Sequence, residues 1–178
     1  MSYFYSVGKK PIYTIGHGSR SADDFLALLK EYGIEYLVDA RSIPYSKFHP
    51  QFSKNALKTF LEQNGIRYVF MGDEIGGRPI DASCYREGKV DYDILKTRDF
   101  FKKGIERLKT AYDKNINVAI MCSERKPAEC HRSRLIGKVL DAEGIMVQHI
   151  DETGKLKDQK AVASEFNKGY QSGDLFGN

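Results

Sequence analysis

The sequence alternates between helix-like segments and short apolar runs, and a glycine or asparagine stands at each junction. The junction residues are Gly33, Gly65, Asn115 and Gly144, and an apolar run follows each of them at once. Glycine and asparagine readily take up the left-handed conformation with which many helices end. Together with an opening apolar run, this alternation predicts five strands, at residues 12–15, 34–38, 66–70, 117–121 and 146–150.

The segments between the predicted strands carry apolar residues three and four positions apart, which is the spacing of amphipathic helices. In the first segment, Phe25 and Leu29 have this spacing. Ser21 begins that segment with Asp24 three residues later, as in a capping box, and Ser53 begins the second. Strands that alternate with helices form βαβ units. The sequence therefore predicts an α/β fold of the Rossmann-like or flavodoxin-like three-layer type, with a mostly parallel five-stranded sheet and helices on both faces.

Two segments interrupt the alternation. Residues 72–97 are too many for a plain connection, and such loops are usually functional lids or locally folded insertions. Residues 151–178 are polar, with a short helix expected near residues 162–166. We expect residues 1–150 to form a single domain and the tail to pack on it or extend from it.

Composition limits the function classes. No apolar stretch approaches the roughly 20 residues that span a bilayer, and the amino end lacks a basic region followed by an apolar one. Three cysteines are an odd number, and 178 residues do not need a disulfide. We expect a cytoplasmic protein with free thiols, no membrane partner and no cofactor. The net charge of +4 is compatible with an anionic ligand but does not require one.

Polar and reactive side chains follow the predicted strands at their carboxyl ends, where open α/β sheets bind ligands. Exposed loops are polar in any case, so their density alone does not prove a site. The residues at these strand ends are Gly16, His17 and Arg20 after the first strand, Asp39 and Arg41 after the second, Gly77 and Arg78 after the third, and Cys122 and Glu124 after the fourth.

The segment from Cys122 to Arg134 is the most informative. A helix N-terminus and nearby arginines would lower the pKa of Cys122 and make it nucleophilic, whereas the alternative is a small buried residue that closes the strand. Cys122, Cys130, His131 and His17 also form a candidate metal set. The Cys-x7-Cys-His spacing is not a common zinc pattern, and helical phase directs Cys130 away from the inward face. We therefore predict no metal site.

Helical phase places Arg132 near the centre of an apolar helix face, with His131 at its edge. A cation on an inward face in the first turn of a helix is unfavourable unless an anion meets it. That anion is either a substrate phosphate or carboxylate, which the free N–H groups of the helix also favour, or the carboxylate of Asp39 or Glu124.

His17 lies in the turn Gly16-His17-Gly18, whose N–H groups can face an anion. The imidazole is a candidate acid or base near neutral pH, and the alternative is a turn histidine hydrogen-bonded to the backbone. The loop at residues 45–52 carries Phe48, His49, Pro50 and Phe52. These residues form either an aromatic wall that stacks on a base or a loop anchored in the core.

Several motifs together resemble the domain of unknown function 488 family over roughly residues 12 to 150. The resemblance implies a cytoplasmic, prokaryotic-type α/β domain with no established activity, and it assigns no roles to the motif residues. The motifs are Thr14-Ile15-Gly16-His17 with Arg20, Val38-Asp39-Ala40-Arg41 with Pro44, Pro50-Gln51-Phe52, Gly76-Gly77-Arg78, and Cys122-x-Glu124 with Cys130-His131-Arg132.

A weaker likeness of topology links the chain to rhodanese-like sulfurtransferases and cysteine phosphatases. These proteins also have a Val-Asp-x-Arg strand end and a cysteine between a strand and a helix. A Cys-x5-Arg phosphatase loop would need arginine at position 128, where this chain has Ala128.

The leading hypothesis is a small enzyme that acts on an anionic, phosphate-bearing or nucleotide-like molecule. A nucleic-acid-binding or nucleic-acid-processing module and a sulfurtransferase-like or redox thiol protein are the alternatives. The expected catalytic residues are Cys122, His17, Glu124 and Asp39, and the expected anion-binding residues are Arg41, Arg78, Arg132, Arg20, His131, Gly16 and Gly77.

Overall fold

The computed structural model describes residues 8–173 and, among these, the side chains of residues 8–166. Its main sheet has five parallel strands and one antiparallel strand at the edge, in the order β3-β2-β6-β1-β7-β8. A separate hairpin is formed by β4 and β5. The strands are β1 Ile12–Gly16, β2 Tyr36–Asp39, β3 Arg67–Phe70, β4 Tyr85–Arg86, β5 Lys89–Val90, β6 Val118–Cys122, β7 Val147–Ile150 and β8 Leu156–Asp158.

Seven α-helices connect or flank these strands in the described residues, with three short 3-10 turns and one π-helical turn. The 3-10 turns are Pro50–Phe52, Ala82–Cys84 and Pro127–Glu129, and the π-helical turn Arg132–Gly137 runs directly into α6. The helices are α1 Ala22–Glu31, α2 Lys54–Gln63, α3 Gly72–Ile75, α4 Tyr92–Leu95, α5 Asp99–Asp113, α6 Lys138–Ala142 and α7 Gln159–Gly173.

The five predicted strands are all present, each within two residues of its predicted bounds. The junction residues explain this agreement, because Gly33, Gly65, Asn115 and Gly144 all have positive φ. Ser21 caps α1 as predicted by accepting a hydrogen bond from the N–H of Asp24 at 3.0 Å.

Ser53 stands at the N-cap of α2, but its side chain does not cap the helix. Its hydroxyl instead accepts from the N–H of Ser46 at 3.2 Å. The serine therefore fixes the preceding loop rather than the first turn.

Side chains alternate between two cores on opposite faces of the sheet. In β6, Val118 and Ile120 join one core with buried residues of α5 and α6, whereas Ala119 and Met121 join the other with residues of α1 and α2. Strands that are buried on both faces read as continuous apolar runs, which is the pattern of β6. The predicted three-layer α/β fold is confirmed.

Segment 72–97 is folded locally. It contains α3, the β4–β5 hairpin and α4, and its Cys84 and Leu95 are buried in the core that includes α5. The tail contains a strand, β8, and a helix, α7, that is longer than the predicted one at residues 162–166. Among the described residues, no helix has the length and apolar character needed to cross a membrane.

The chain reverses its winding direction between the neighbouring strands β1 and β6. After β1 the chain passes to α1 on one face, and after β6 it passes to α6 on the other face. Connections that leave adjacent strands in opposite directions open a crevice at their carboxyl ends. The candidate site lies at this crevice.

Candidate functional site

The carboxyl ends of β1, β2 and β6 bring the sequence-predicted residues to one edge of the sheet. Cys122 lies opposite Gly16 of β1, and Asp39 lies opposite Met121, the residue before Cys122. Cys122 and Asp39 therefore stand at the same end of neighbouring strands, as the sequence predicts. His17 follows β1 directly, and its N–H donates to the carbonyl of Cys122 at 3.1 Å.

Two buried thiols meet at this edge. The Sγ atoms of Cys122 and Cys130 lie 2.6 Å apart, and neither residue is more than 1% exposed. The prediction that Cys130 points away is wrong. Residues Pro127–Glu129 form a 3-10 turn and Cys130 has extended φ and ψ angles, so that helical phase does not apply at this position.

A carboxylate and an imidazole adjoin the thiol pair. The thiol of Cys130 lies 3.1 Å from Oε2 of Glu124, to which it can donate, and 3.5 Å from Nδ1 of His131. The Nε2–H of His131 donates to the carbonyl of Ala40 at 3.1 Å, which leaves Nδ1 as the acceptor that faces the sulfur. Gly77 allows this ring position, because a Cβ at residue 77 would lie 2.8 Å from Cγ of His131.

Burial governs the protonation of these groups. It raises the pKa of the Cys130 thiol well above the ordinary value, and the neighbouring Cys122 adds to that effect. Burial also lowers the pKa of His131, although the charge of Glu124 opposes the shift. Burial works to raise the pKa of Glu124, but hydrogen bonds to its carboxylate, that of Cys130 first, hold this pKa below the ordinary value. At neutral pH the cluster therefore holds a carboxylate and a neutral imidazole.

Arg132 is wholly buried beside this cluster, so its predicted inward orientation is confirmed. Its Nη2 donates to the main-chain carbonyls of Glu124 at 3.3 Å and Arg125 at 2.9 Å, and its Nη1 donates to Oγ1 of Thr14 at 3.5 Å. Of the two expected anions, the carboxylate of Asp39 or Glu124 does not pair with Arg132. The turn after Cys122 presents carbonyl oxygens to the guanidinium instead.

The Nε atom of Arg132 is buried and has no hydrogen-bond partner among the described residues. Buried charges in proteins are normally paired. The charge of Arg132 acts to lower the pKa of Cys130. The cation therefore offsets part of the effect of burial on the Cys130 thiol, whose pKa stays above the ordinary value.

Asp39 and Arg41 form a buried ion pair. Arg41 donates from Nε to Oδ1 of Asp39 at 2.9 Å and from Nη2 to Oδ2 at 2.6 Å. Tyr68 donates its hydroxyl to the same Oδ2 at 2.6 Å, and Arg41 also donates to the carbonyl of Phe52 at 2.7 Å. The hydrogen-bonding capacity of this guanidinium is thus largely taken up within the protein, although Arg41 borders a cleft described below.

His17 lies against the same pair. Its Nδ1–H donates to the carbonyl of Gly18 at 2.9 Å, and its Nε2 faces Nη1 of Arg41 at 3.4 Å. The ring stacks on Phe52 with centroids 4.3 Å apart. Burial lowers the pKa of His17 to about 4, so the imidazole is neutral at pH 7. These contacts are those of the alternative interpretation, a turn histidine bonded to the backbone.

Arg20 and Gly16 shape the loops at this edge. Arg20 donates to the carbonyl of Gly16 at 2.5 Å and to that of Asp151 at 2.9 Å, which ties the ends of β1 and β7 together. A Cβ at residue 16 would lie 1.8 Å from the carbonyl oxygen of Glu124. Glycine at this position lets the loop after β6 cross the end of β1.

A cleft of about 370 Å³ opens above these residues. Arg78 is exposed there, and its guanidinium makes no ion pair with any residue in the described part of the chain. Of the two alternatives for residues 45–52, the aromatic wall is not formed as a unit, because Phe52 is buried in the core while Phe48 is 85% exposed. The cleft is lined by Arg41, Ser42, Ile43, Gly77, Arg78, Tyr92, Ser123, Glu124, Glu129 and His131.

The family model for the domain of unknown function DUF488 matches residues 21–140, which is well over half of the chain. The chain belongs to the DUF488 family. The region matched by the DUF488 model includes the thiol pair, Arg78 and Arg132, but it begins after His17. Neither the curated proteins nor the solved structures give a match.

Two tyrosines border the site of this DUF488 chain without a sequence motif to mark them. Tyr68 of β3 lies opposite Leu37 of β2. Side chains alternate along a strand, so Leu37 and Asp39, and with them Tyr68, lie on the same face of the sheet. This alternation is the sequence feature that could have indicated that Tyr68 lies near Asp39. Tyr92 comes from the insertion at residues 72–97, and no local pattern shows that this segment folds back over the cleft.

Proposed function

We propose that the protein is a small enzyme that acts on an anionic, phosphate-bearing molecule bound in the cleft at the carboxyl ends of the strands. One observation carries this proposal. The cleft contains the guanidinium of Arg78, which makes no ion pair within the described residues, and the wall of the cleft includes Glu124 and His131, which also contact the thiol pair. A ligand held by Arg78 would therefore lie beside the reactive groups.

Arg78 is the residue that would hold the anion. A guanidinium binds phosphate or carboxylate oxygens through two parallel N–H donors. Ser42 accepts a hydrogen bond from the N–H of Arg78 at 2.9 Å, which positions the backbone of this residue at the mouth of the cleft. Arg20 and Arg132 donate to carbonyl groups of the protein, and neither lines the cleft, so we assign them no direct contact with the substrate.

Glu124 is the candidate residue that orients the thiol. Its carboxylate borders the cleft and can accept a hydrogen bond from the Cys130 thiol. The buried charge of Arg132 would stabilise a thiolate at Cys130. We propose that Cys130 and Cys122 supply the reacting sulfur atoms.

Titration of the protein with inorganic phosphate and with a nucleoside monophosphate tests this proposal by calorimetry. Arg78→Ala should weaken binding by roughly 10- to 100-fold, the usual effect of losing a hydrogen bond to a charged group. Arg78→Lys should restore part of the affinity. Lys103→Ala, which removes an exposed cation of α5, is the matched control and should bind like the wild type. Equal affinity in Arg78→Ala and the wild type would contradict the proposal.

A second candidate is a redox thiol protein, favoured by the 2.6 Å contact between the two sulfur atoms. A thiolate of the pair attacks a small-molecule disulfide and releases one thiol. The other cysteine then attacks the mixed disulfide, forms the Cys122–Cys130 bond and releases the second thiol. The protein gives up two electrons, which the small molecule takes up.

Mass spectrometry after treatment of the reduced protein with glutathione disulfide tests the second candidate. The expected product is lighter by two hydrogen atoms and does not form in Cys130→Ser. Cys84→Ala is the control, because Cys84 makes no contact with the other two sulfur atoms. A folded wild-type protein that stays reduced, or that stops at the mixed disulfide, would count against this candidate.

A further inference from the structure

The cluster around the two thiols has the donor atoms of a metal site. The ligand atoms of Cys122, Glu124 and Cys130 all lie within 4.8 Å of one another. His131 presents Nδ1 at 3.5 Å from Sγ of Cys130. We propose that these residues bind one thiophilic divalent metal ion of the zinc class.

The tautomer of His131 supports a metal. A histidine that binds a metal through one nitrogen usually donates its other N–H to a carbonyl or carboxylate, which fixes the ring. His131 donates Nε2–H to the carbonyl of Ala40 at 3.1 Å and so points its lone pair at the sulfur. A disulfide would need neither this imidazole nor the carboxylate of Glu124.

Metal binding would require the two sulfur atoms to move slightly apart. Two sulfur atoms lie about 2.05 Å apart in a disulfide, and about 3.8 Å apart on a tetrahedral zinc ion with bonds of about 2.3 Å. The separation of 2.6 Å between Cys122 and Cys130 lies between these values. Metal binding would move the two sulfur atoms apart by about 1 Å, which a change in a cysteine side-chain torsion can provide.

The charges balance when the ion is bound. Two thiolates and the carboxylate of Glu124 carry three negative charges, which the doubly charged ion and the buried Arg132 offset. Arg132 has no carboxylate partner in the described residues, so this arrangement gives its charge a counterpart. The N–H of Arg132 also lies 3.4 Å from Sγ of Cys130, where it can stabilise a thiolate.

The inference does not rest on the proposed enzyme activity, since the ligand atoms are those of the protein alone. The expectation of no metal site depended on Cys130 pointing away from Cys122, and that orientation is not observed. Glu124 and His131 also line the cleft, so a bound ion would lie at its floor.

Cobalt(II) titration of the full chain tests the proposal. The protein is reduced, stripped with a chelator and kept under inert gas. One equivalent of Co²⁺ should give the intense visible bands of a tetrahedral site and a near-ultraviolet sulfur-to-cobalt charge-transfer band, and Zn²⁺ should abolish both. Cys122→Ser and Cys130→Ser should each weaken the charge-transfer band. Cys84→Ala, which alters the remaining buried cysteine, should keep the full spectrum.

Glu124→Gln keeps the size and shape of a side chain at the surface of the cleft, so we expect the fold to be retained. It should bind Co²⁺ at least roughly tenfold more weakly while its circular dichroism spectrum is unchanged. The proposal is overturned if the reduced wild type gives no charge-transfer band, or if Glu124→Gln binds as tightly as the wild type. Arg78→Ala should leave the Co²⁺ spectrum intact, which separates failure of the metal site from failure of the anion site.

Discussion

Removing one partner of the buried pair of Asp39 and Arg41 should strongly destabilise the protein. Asp39 is completely buried and Arg41 is 5% exposed. Arg41→Met keeps an apolar side chain of similar length but removes both side-chain donors to the carboxylate, which leaves the hydroxyl of Tyr68 as its side-chain donor. Removing one partner of a buried ion pair costs about 3–5 kcal/mol.

Urea denaturation measures this cost. With a slope of about 2 kcal/mol per M, the midpoint of Arg41→Met should fall by about 1.5–2.5 M. The double variant Asp39→Leu with Arg41→Met removes both charges and should recover much of the loss, since apolar replacement of a whole pair is often neutral. Lys103→Met at an exposed position of α5 is the control and should change stability by less than about 0.5 kcal/mol.

Two results would refute this reasoning. One is a loss below about 1 kcal/mol in Arg41→Met, which would mean that the pair is solvated or that the site relaxes. The other is a double variant that loses the sum of the two single losses, which would show that the two charges do not interact.

Further predictions concern pH and close contacts. Burial lowers the pKa of His149 to about 4 from 6.5, so its contribution to stability should be full above pH 6.5 and be lost as the pH falls towards 4. The free energy of unfolding should fall by roughly 3 kcal/mol between these two pH values. Urea denaturation above pH 6.5 and near pH 4 measures this loss, which should be smaller in His149→Gln. Gly16→Ala should lower the free energy of unfolding, measured in urea, by about 1–3 kcal/mol, because its Cβ would meet the carbonyl oxygen of Glu124 at 1.8 Å. Gly77→Ala should weaken Co²⁺ binding without removing a ligand, because its Cβ would meet the ring of His131 at 2.8 Å; unchanged affinity would contradict the assigned ring position.

The fold was largely predictable because local signals mark its elements. Gly33 and Asn115 both adopt positive φ where the sequence places a helix end, and the apolar run after each forms a strand. The strand β8, Leu156–Asp158, was not predicted, because it is short and polar and is defined by its antiparallel pairing with β7. Such nonlocal pairing leaves little trace in the sequence.

The site was predictable in location but not in its contacts. Strand ends alone place Cys122 and Asp39 together, since carboxyl ends of parallel strands share an edge. Helical phase correctly predicts that Arg132 faces inward. It predicts the wrong direction for Cys130, because a 3-10 turn and extended backbone precede the helix. The partners of Arg132 are main-chain carbonyls, and a residue pattern does not reveal where a loop directs its carbonyl groups.

A crystal of the protein grown with tungstate would show directly whether the cleft binds a tetrahedral oxyanion beside the thiol cluster. We expect an anomalous tungsten peak in the cleft, with the tungstate oxygens on the guanidinium of Arg78 and near Glu124 and His131. An empty cleft, with tungstate bound only at exposed lysines elsewhere, would contradict it.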